Sequence, residues 1–184
     1  MPVQSGERRR SSARNAGPRR AVAGVSTGGY GALALAARRP GTFAAAASYS
    51  GILDTTAPGM PTVVDAIVAR EGRLPITLWG SSLLQRAAWT AHNPYRLAAR
   101  LKGTRLYVSR GSGMPNDDFG NLDGALLEGT LWWQAQGLVR RLADLGVPVR
   151  AHLYQGGTHA WSAWRGEFAA SWPPLAAGLG LRTD

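Results

Sequence analysis

The pattern Gly24-Val25-Ser26-Thr27-Gly28 lies where a short apolar run ends and a helix-forming stretch is about to begin. This junction constrains the fold more than any other feature of the sequence. The run over 21–25 is typical of a buried parallel strand, and the alanine- and leucine-rich stretch over 31–37 is typical of a helix. A serine at so sharp a strand-to-helix turn takes a strained backbone that lifts its hydroxyl clear of the sheet, and the flanking glycines relieve crowding. The pattern therefore predicts that Ser26 is a nucleophile, although a plain glycine-rich turn is the alternative that the pattern alone leaves open.

Strands and helices alternate along the rest of the chain. The predicted strands are 21–25, 43–49, 104–109 and 147–154. The predicted helices start at 31, at about 62, after Gly80, at Asn93-Pro94, at the leucine-striped stretch 127–145, and at 162 with a break at Pro173-Pro174. This alternation predicts an α/β fold with a mainly parallel sheet of about four strands flanked by helices.

The net charge of +10 is spread along the chain, apart from an arginine-rich N-terminus. Residues 1–20 contain six arginines and one glutamate, and 1–18 show no hydrophobic period, so we expect 1–18 to be a disordered tail and 19–184 to be the folded domain. Nucleic acid is not expected as a partner, because no aromatic residues interleave with the arginines. The sequence has no cysteine, which excludes disulfides and thiolate chemistry.

A serine hydroxyl needs a base to become a good nucleophile, and the chain has three histidines. His152 lies inside the last predicted strand and His92 precedes a predicted helix cap, so we interpret both as structural. His159 follows the last strand directly, at the carboxyl end of the sheet. A serine at a sharp strand-to-helix turn, called a nucleophile elbow, needs its base at this end. The sequence predicts that His159 is this base.

In α/β folds with such a nucleophile elbow, the catalytic residues follow one another along the chain in the order serine, acid, histidine. The acid that orients the histidine should therefore lie between Ser26 and His159. Asp117 and Asp118 lie in the loop after the third strand, and Glu128 lies near the start of the leucine-striped helix. Residue patterns alone slightly favour the aspartates and leave all three carboxylates open as the acid.

No metal or cofactor is expected. The residues around Asp123 resemble the centre of a calcium-binding loop, but they lack carboxylates at the first and last loop positions.

Four segments together resemble the antigen 85 mycolyltransferase and esterase D family of α/β-hydrolases. They are the elbow over 20–32, the strand and loop Tyr107-Val108-Ser109-Arg110-Gly111-Ser112-Gly113-Met114-Pro115, the segment Leu126-Leu127-Glu128-Gly129, and Gly157-Thr158-His159-Ala160-Trp161-Ser162-Ala163-Trp164. The resemblance implies that Glu128 is the acid, with Asp117 or Asp118 in reserve. It also implies a serine esterase or acyltransferase that forms an acyl-enzyme from an acyl ester substrate.

The resemblance assigns two further roles. The backbone N–H of Thr27 is expected to be an oxyanion donor, although the family usually has methionine at this position. Trp161 matches a family tryptophan that contacts the acceptor, while a structural role as an anchor for the last helix is equally consistent with its position.

In this fold about a hundred residues precede the elbow, whereas here only 25 do, so the chain is expected to be a C-terminal half without the N-terminal strands. The second oxyanion donor and the strands that pair with 21–25 would lie in the other half. An inactive remnant is therefore an alternative to an active enzyme, and we expect a complementing chain or self-association through the exposed strand edge. No signal peptide or membrane-spanning run is recognisable; family members are commonly exported, but the sequence leaves the location open.

Overall fold

Four parallel strands form one sheet in the computed structural model of this chain, which describes residues 19–113 and 122–182. The strands are β1 (Ala21–Val25), β2 (Ala45–Tyr49), β3 (Arg105–Gly111) and β4 (Val149–Tyr154), and they lie side by side in this order. The predicted parallel α/β architecture is confirmed. The predicted tail over 1–18 lies outside the described residues, as do Asp117 and Asp118.

Helices connect the strands and cover both faces of the sheet. They are α1 (Thr27–Arg38), α2 (Met60–Arg70), α3 (Arg86–Ala91), α4 (Leu122–Asp144) and α5 (Trp161–Leu179), with short 3₁₀ helices at Pro75–Thr77 and Ala98–Leu101. Within the described part of the chain, no helix is long and apolar enough to cross a membrane.

The alternation of side chains along β2 separates two hydrophobic layers. Ala45 and Tyr49 pack with Trp164 and Leu175 of α5 on one face. Ala46 packs on the opposite face with α1 and α4, in the larger of the hydrophobic clusters. All five residues of β2 are buried, because a parallel strand covered by helices on both faces has no exposed side. The fold is therefore a three-layer α/β/α arrangement.

Two helix predictions are wrong in detail. Asn93 caps backbone N–H groups as expected, its Oδ1 accepting from Tyr95 at 2.9 Å, but the chain continues as turns into the 3₁₀ helix rather than as an α-helix. Helix α5 runs through Pro173 and Pro174 without a break. Each proline removes a helical hydrogen bond, and burial of α5 against the sheet on both sides of the prolines, through Trp164 and Leu175, offsets this loss.

Strand β1 is an outer strand of the described sheet and pairs with β2 alone among the described strands. Its residues are partly exposed, in contrast to the fully buried β2. The carboxyl ends of β1, β2, β3 and β4 meet at one edge of the sheet, which is where the loops with Ser26, Ser50, Ser112 and His159 begin. This edge is the usual location of a ligand site in parallel α/β sheets.

Candidate active site

Ser26 lies at a sharp turn between β1 and α1. Its backbone has φ 52° and ψ −123°, an uncommon conformation for a residue with a side chain. The N–H of Ser26 donates to the carbonyl of Tyr49 at 2.9 Å, which ties the turn to the neighbouring strand. The strained turn is the backbone geometry that the G-x-S-x-G pattern predicts.

The two glycines of the pattern differ in their surroundings. A methyl group on Gly24 would lie within 3.0 Å of the backbone of Gly28, whereas a methyl group on Gly28 would meet no atom within 4 Å. Gly29, one residue later, is the second crowded position, because it packs against Ser48 and the Gly24 carbonyl. Close strand–helix packing thus requires glycine at 24 and 29, while position 28 tolerates a side chain.

Gly24→Ala is expected to lower the free energy of unfolding by about 1–3 kcal/mol, because backbone atoms cannot move aside as a flexible side chain can. Gly28→Ala is the matched control and should leave stability unchanged or slightly higher, since alanine favours helix. Urea unfolding of both variants checks this. Equal stability of the two variants would contradict the packing described here.

His159 lies between Ser26 and Glu128 and contacts both. Its Nε2 is 2.9 Å from the Oγ of Ser26, and its Nδ1 is 2.8 Å from Oε2 of Glu128. The ring of His159 also meets the ring of Trp164 edge-on, with centroids 4.8 Å apart. The structure therefore brings together the three side chains that the sequence and the family resemblance selected, from the turn after β1, from α4 and from the loop after β4.

Glu128 is buried, with 1% of its surface exposed, and several groups donate to its carboxylate. Oε1 accepts from the hydroxyl of Ser50 and from the backbone N–H of Gly111 at 3.2 Å. Oε2 faces His159 and lies 3.5 Å from Nη1 of Arg110. A carboxylate with this many donors has a fixed orientation, so it can hold the imidazole ring in place.

The charges around Glu128 favour its ionised form. Burial raises the pKa of this carboxyl, but the hydrogen bond from His159, the charge of Arg110 and the hydrogen bond from Ser50 outweigh burial, so the pKa lies below its ordinary value. Burial lowers the pKa of Arg110 to about 10, which leaves the guanidinium charged near neutral pH. Glu128 is thus an anion that can balance a positive charge on His159.

Sequence reasoning missed the roles of two residues, Ser50 and Arg110. Ser50 follows β2 directly, has a positive φ of 53°, and its Oγ accepts from the indole N–H of Trp164 at 3.1 Å. Arg110 is 1% exposed and donates through Nη2 to the carbonyl of Gly51 at 2.6 Å. Their position in the sequence could have revealed them, because both are polar residues at the carboxyl ends of predicted strands that are otherwise buried.

The other two histidines lie away from Ser26. Nδ1 of His152 is 2.8 Å from Oε1 of Glu167, on the side of the sheet covered by α5. Nδ1 of His92 is 2.8 Å from the carbonyl of Ala88, and its ring stacks on Trp79. These contacts agree with the structural roles expected for both. Within the described ranges, no group of three or more His, Asp or Glu side chains could hold a metal ion.

Two cavities adjoin the nucleophile. One of about 600 Å³ contains Ser26 and His159 in its wall together with apolar residues of α2 and α4, which include Val63, Ile67 and Leu127. A smaller cavity of about 280 Å³ shares Thr27 and Ile67 with the first and is almost entirely apolar. Apolar walls beside a polar reacting group suit a substrate with a hydrocarbon chain.

Thr27 and Trp161 occupy different surroundings. Thr27 is the first residue of α1, where the backbone N–H has no acceptor within the helix, and it lies in the wall of both cavities. Trp161 is the first residue of α5, is 73% exposed, and packs edge-on against Trp164 with centroids 5.3 Å apart. Trp161 lines a third cavity, of about 650 Å³, beside β1.

Comparison with known protein families covers nearly the whole chain. The family model named Esterase matches residues 6–175. The chain belongs to the Esterase family. The family model and the curated relatives connect this chain with esterases and acyltransferases, and the resemblance stated from its motifs is confirmed.

Relatives of this Esterase family member include acyltransferases of mycobacteria. It is 31% identical over 165 residues to the diacylglycerol acyltransferase/mycolyltransferase Ag85B of Mycolicibacterium smegmatis, over 87% of this chain and 51% of that protein. It is 32% identical over 160 residues to the diacylglycerol acyltransferase/mycolyltransferase Ag85C of Mycobacterium avium, over 84% of this chain and 45% of that protein. The chain spans about half the length of the curated relatives it matches.

Solved structures of similar fold include MPT51 (FbpC1) of Mycobacterium tuberculosis, with a TM-score of 0.70 and 24% identity over 86% of this chain and 60% of that one. A ferulic acid esterase has a TM-score of 0.56 and 20% identity over 86% of this chain and 51% of that one. These matches show the fold, and the Esterase family member described here has a partial α/β-hydrolase fold.

Proposed function

We propose that the chain acts as a carboxylic ester hydrolase or acyltransferase, with Ser26 as nucleophile, His159 as base and Glu128 as the acid that orients the base. The observation that carries this proposal is the continuous hydrogen-bond path, 2.9 Å from Ser26 to His159 and 2.8 Å from His159 to Glu128. These distances allow a proton to pass from the serine to the imidazole. Neighbouring Arg110 and Ser50 fix the carboxylate at the far end of the path.

The first chemical step forms an acyl-enzyme. Nε2 of His159 takes the proton from Ser26, whose oxygen attacks the ester carbonyl carbon to give a tetrahedral intermediate. The imidazolium then returns this proton to the departing alcohol oxygen as the bond from that oxygen to the carbonyl carbon breaks. Glu128 balances the transient positive charge on His159 and stays ionised throughout.

Negative charge on the substrate oxygen is stabilised at the start of α1. The backbone N–H of Thr27 is the donor expected there, and the positive end of the α1 dipole adds to its effect. This role uses the backbone alone, so the threonine side chain does not affect it.

The second step releases the acyl group to water or to an acceptor alcohol. His159 takes a proton from the incoming hydroxyl, whose oxygen attacks the acyl carbonyl carbon. The imidazolium then returns this proton to the Oγ of Ser26 as the bond from that oxygen to the carbonyl carbon breaks. The indole of Trp161 is exposed on α5 near Trp164, and we assign it to contact with the acceptor. The substrate is an acyl ester whose chain occupies the apolar cavities beside Ser26.

The outer edge of β1 supports a second proposal, that another strand pairs with it in the working enzyme. Ala21 to Val25 have unpaired backbone groups on the side away from β2 among the described residues, and such edges favour pairing with another chain. If this is so, the chain should sediment above its monomer mass of 19.5 kDa, by self-association or with a complementing chain. A chain that hydrolyses esters while it sediments only as a monomer would contradict the proposed pairing at β1.

Hydrolysis of p-nitrophenyl acetate, a soluble ester, tests the main proposal. We expect an initial burst of p-nitrophenol equal to the concentration of active sites, followed by slower turnover, because a covalent intermediate forms first. Added glycerol should yield an acetyl ester if the acyl group also passes to alcohols. Absence of both burst and turnover in folded protein would favour the alternative that the chain alone is inactive.

A further inference from the structure

Residues 74–84, between α2 and α3, expose an unusual amount of aliphatic surface, and we call them the leucine segment. Five large aliphatic side chains are exposed there: Leu74 (72%), Ile76 (63%), Leu78 (48%), Leu83 (85%) and Leu84 (83%). Apolar surface concentrated in this way on the exterior of a folded chain marks a site of interaction.

The leucine segment is held in place by its own contacts with the fold. Trp79 stacks on His92, with centroids 5.1 Å apart, and meets Trp89 edge-on at 5.1 Å. The indole N–H of Trp89 donates to the carbonyl of Gly80 at 3.1 Å. The segment thus packs its tryptophan inward and leaves its aliphatic side chains outside, so the exposure belongs to an anchored loop.

The charge and composition of the leucine segment indicate which kind of partner binds it. Arg70, Arg73 and Arg86 flank the leucine segment, and Glu71 is the only acidic residue between positions 70 and 86. The ion pair of Arg70 with Glu71, at 3.7 Å, is exposed and therefore weak. Cations beside exposed leucines suit an anionic bilayer, where the aliphatic groups enter the interface and the arginines meet headgroups.

The leucine segment adjoins the cavities beside the nucleophile. Leu78 and Thr27 lie in the wall of the 280 Å³ cavity, which shares Ile67 with the 600 Å³ cavity that contains Ser26. Arg70 also lies in the wall of the larger cavity. A surface bound by the segment would therefore lie next to the site.

We propose that the leucine segment docks on the surface of an anionic lipid bilayer and brings the cavity beside Ser26 to esters dissolved in that bilayer. The docking stands on the segment's own residues; only the presentation of ester substrate rests on the function proposed above.

Vesicle flotation of the full chain tests this proposal. The vesicles are phosphatidylcholine with 30% phosphatidylglycerol, against phosphatidylcholine alone, at 0.15 M and 0.5 M NaCl. The higher salt screens binding by the arginine-rich residues 1–20, because the Debye length falls to about 4 Å. We expect wild type to float with anionic vesicles at both salt concentrations. Leu83→Ser/Leu84→Ser should weaken binding at 0.5 M NaCl by about tenfold or more, through lost burial of two leucines.

A matched control replaces two exposed leucines elsewhere, Leu35→Ser/Leu181→Ser, and should bind vesicles like wild type. Thermal unfolding checks that both double variants fold. Flotation of Leu83→Ser/Leu84→Ser equal to that of wild type would overturn the proposal, as would a dimer that this variant abolishes in the absence of any flotation. Ser26→Ala should still float, and a wild-type chain that floats but hydrolyses no ester would contradict only the proposed chemistry and leave the docking standing.

Discussion

His159→Ala is expected to lower kcat for p-nitrophenyl acetate by on the order of 10⁵-fold or more. The imidazole is the only group of the described chain within hydrogen-bonding distance of the Ser26 hydroxyl, at 2.9 Å, so its loss leaves the nucleophile protonated. Removal of the base from a serine triad costs about as much as removal of the whole triad. Stopped-flow measurement of the p-nitrophenol burst and of steady turnover checks both steps.

His152→Ala is the matched control for this prediction. His152 makes a similar contact, its Nδ1 lying 2.8 Å from the buried Glu167, but it lies on the face of the sheet covered by α5. Its replacement should leave kcat within a few-fold of wild type. Equal losses of activity in His152→Ala and His159→Ala would mean that general disruption, and not the loss of a base, explains the effect.

Glu128→Gln is expected to lower kcat by on the order of 10⁴-fold, because the neutral amide can neither balance the imidazolium nor hold the tautomer with a proton on Nδ1. The amide NH₂ group must also face a donor, since Ser50, Gly111, His159 and Arg110 all surround the carboxylate. The variant leaves the buried Arg110 without its ionic partner, and loss of one member of a buried ion pair costs about 3–5 kcal/mol. Kinetics and urea unfolding measure the two effects separately.

The stability effect of Glu128→Gln should depend on pH with a definite sign. The pKa of Glu128 lies below its ordinary value of 4.5. The stability that the ionised carboxylate contributes is therefore fully present above about pH 4.5 and is lost as the pH falls through the folded-state pKa. The difference in free energy of unfolding between wild type and variant should therefore be largest near pH 7 and shrink in acid. A difference in the free energy of unfolding that grows in acid would contradict the assigned ionisation.

Glu167→Gln is the control for activity, because it changes another buried glutamate that lies beside a histidine. This variant should keep the activity of wild type per folded molecule.

The elbow and the sheet could be predicted from the sequence because both depend on local patterns. An apolar run, a glycine-flanked serine and a helix-forming stretch lie within twenty residues of one another, and the strained turn at Ser26 follows from that order. His159 could be placed because it follows a strand in a parallel sheet, where the carboxyl ends converge.

The surroundings of Glu128 could not be predicted, because they depend on side chains from distant parts of the chain. Ser50 comes from the end of β2 and Arg110 from the end of β3, and their roles follow from packing against α4. Residue patterns alone left Glu128 open beside two aspartates, and the family resemblance favoured it. The path of α5 through Pro173 was missed for a similar reason, since burial against the sheet outweighs the local preference of proline.

Labelling with a fluorophosphonate probe tests the central claim most directly, because the probe reacts only with a serine whose hydroxyl a neighbouring base has activated. We expect the intact mass of the folded chain to rise by one probe adduct, and peptide mapping to place the adduct on Ser26. Ser26→Ala and His159→Ala should show no adduct, and His152→Ala should be labelled like wild type. An unlabelled folded wild-type chain, or an adduct on any other serine, would contradict the account.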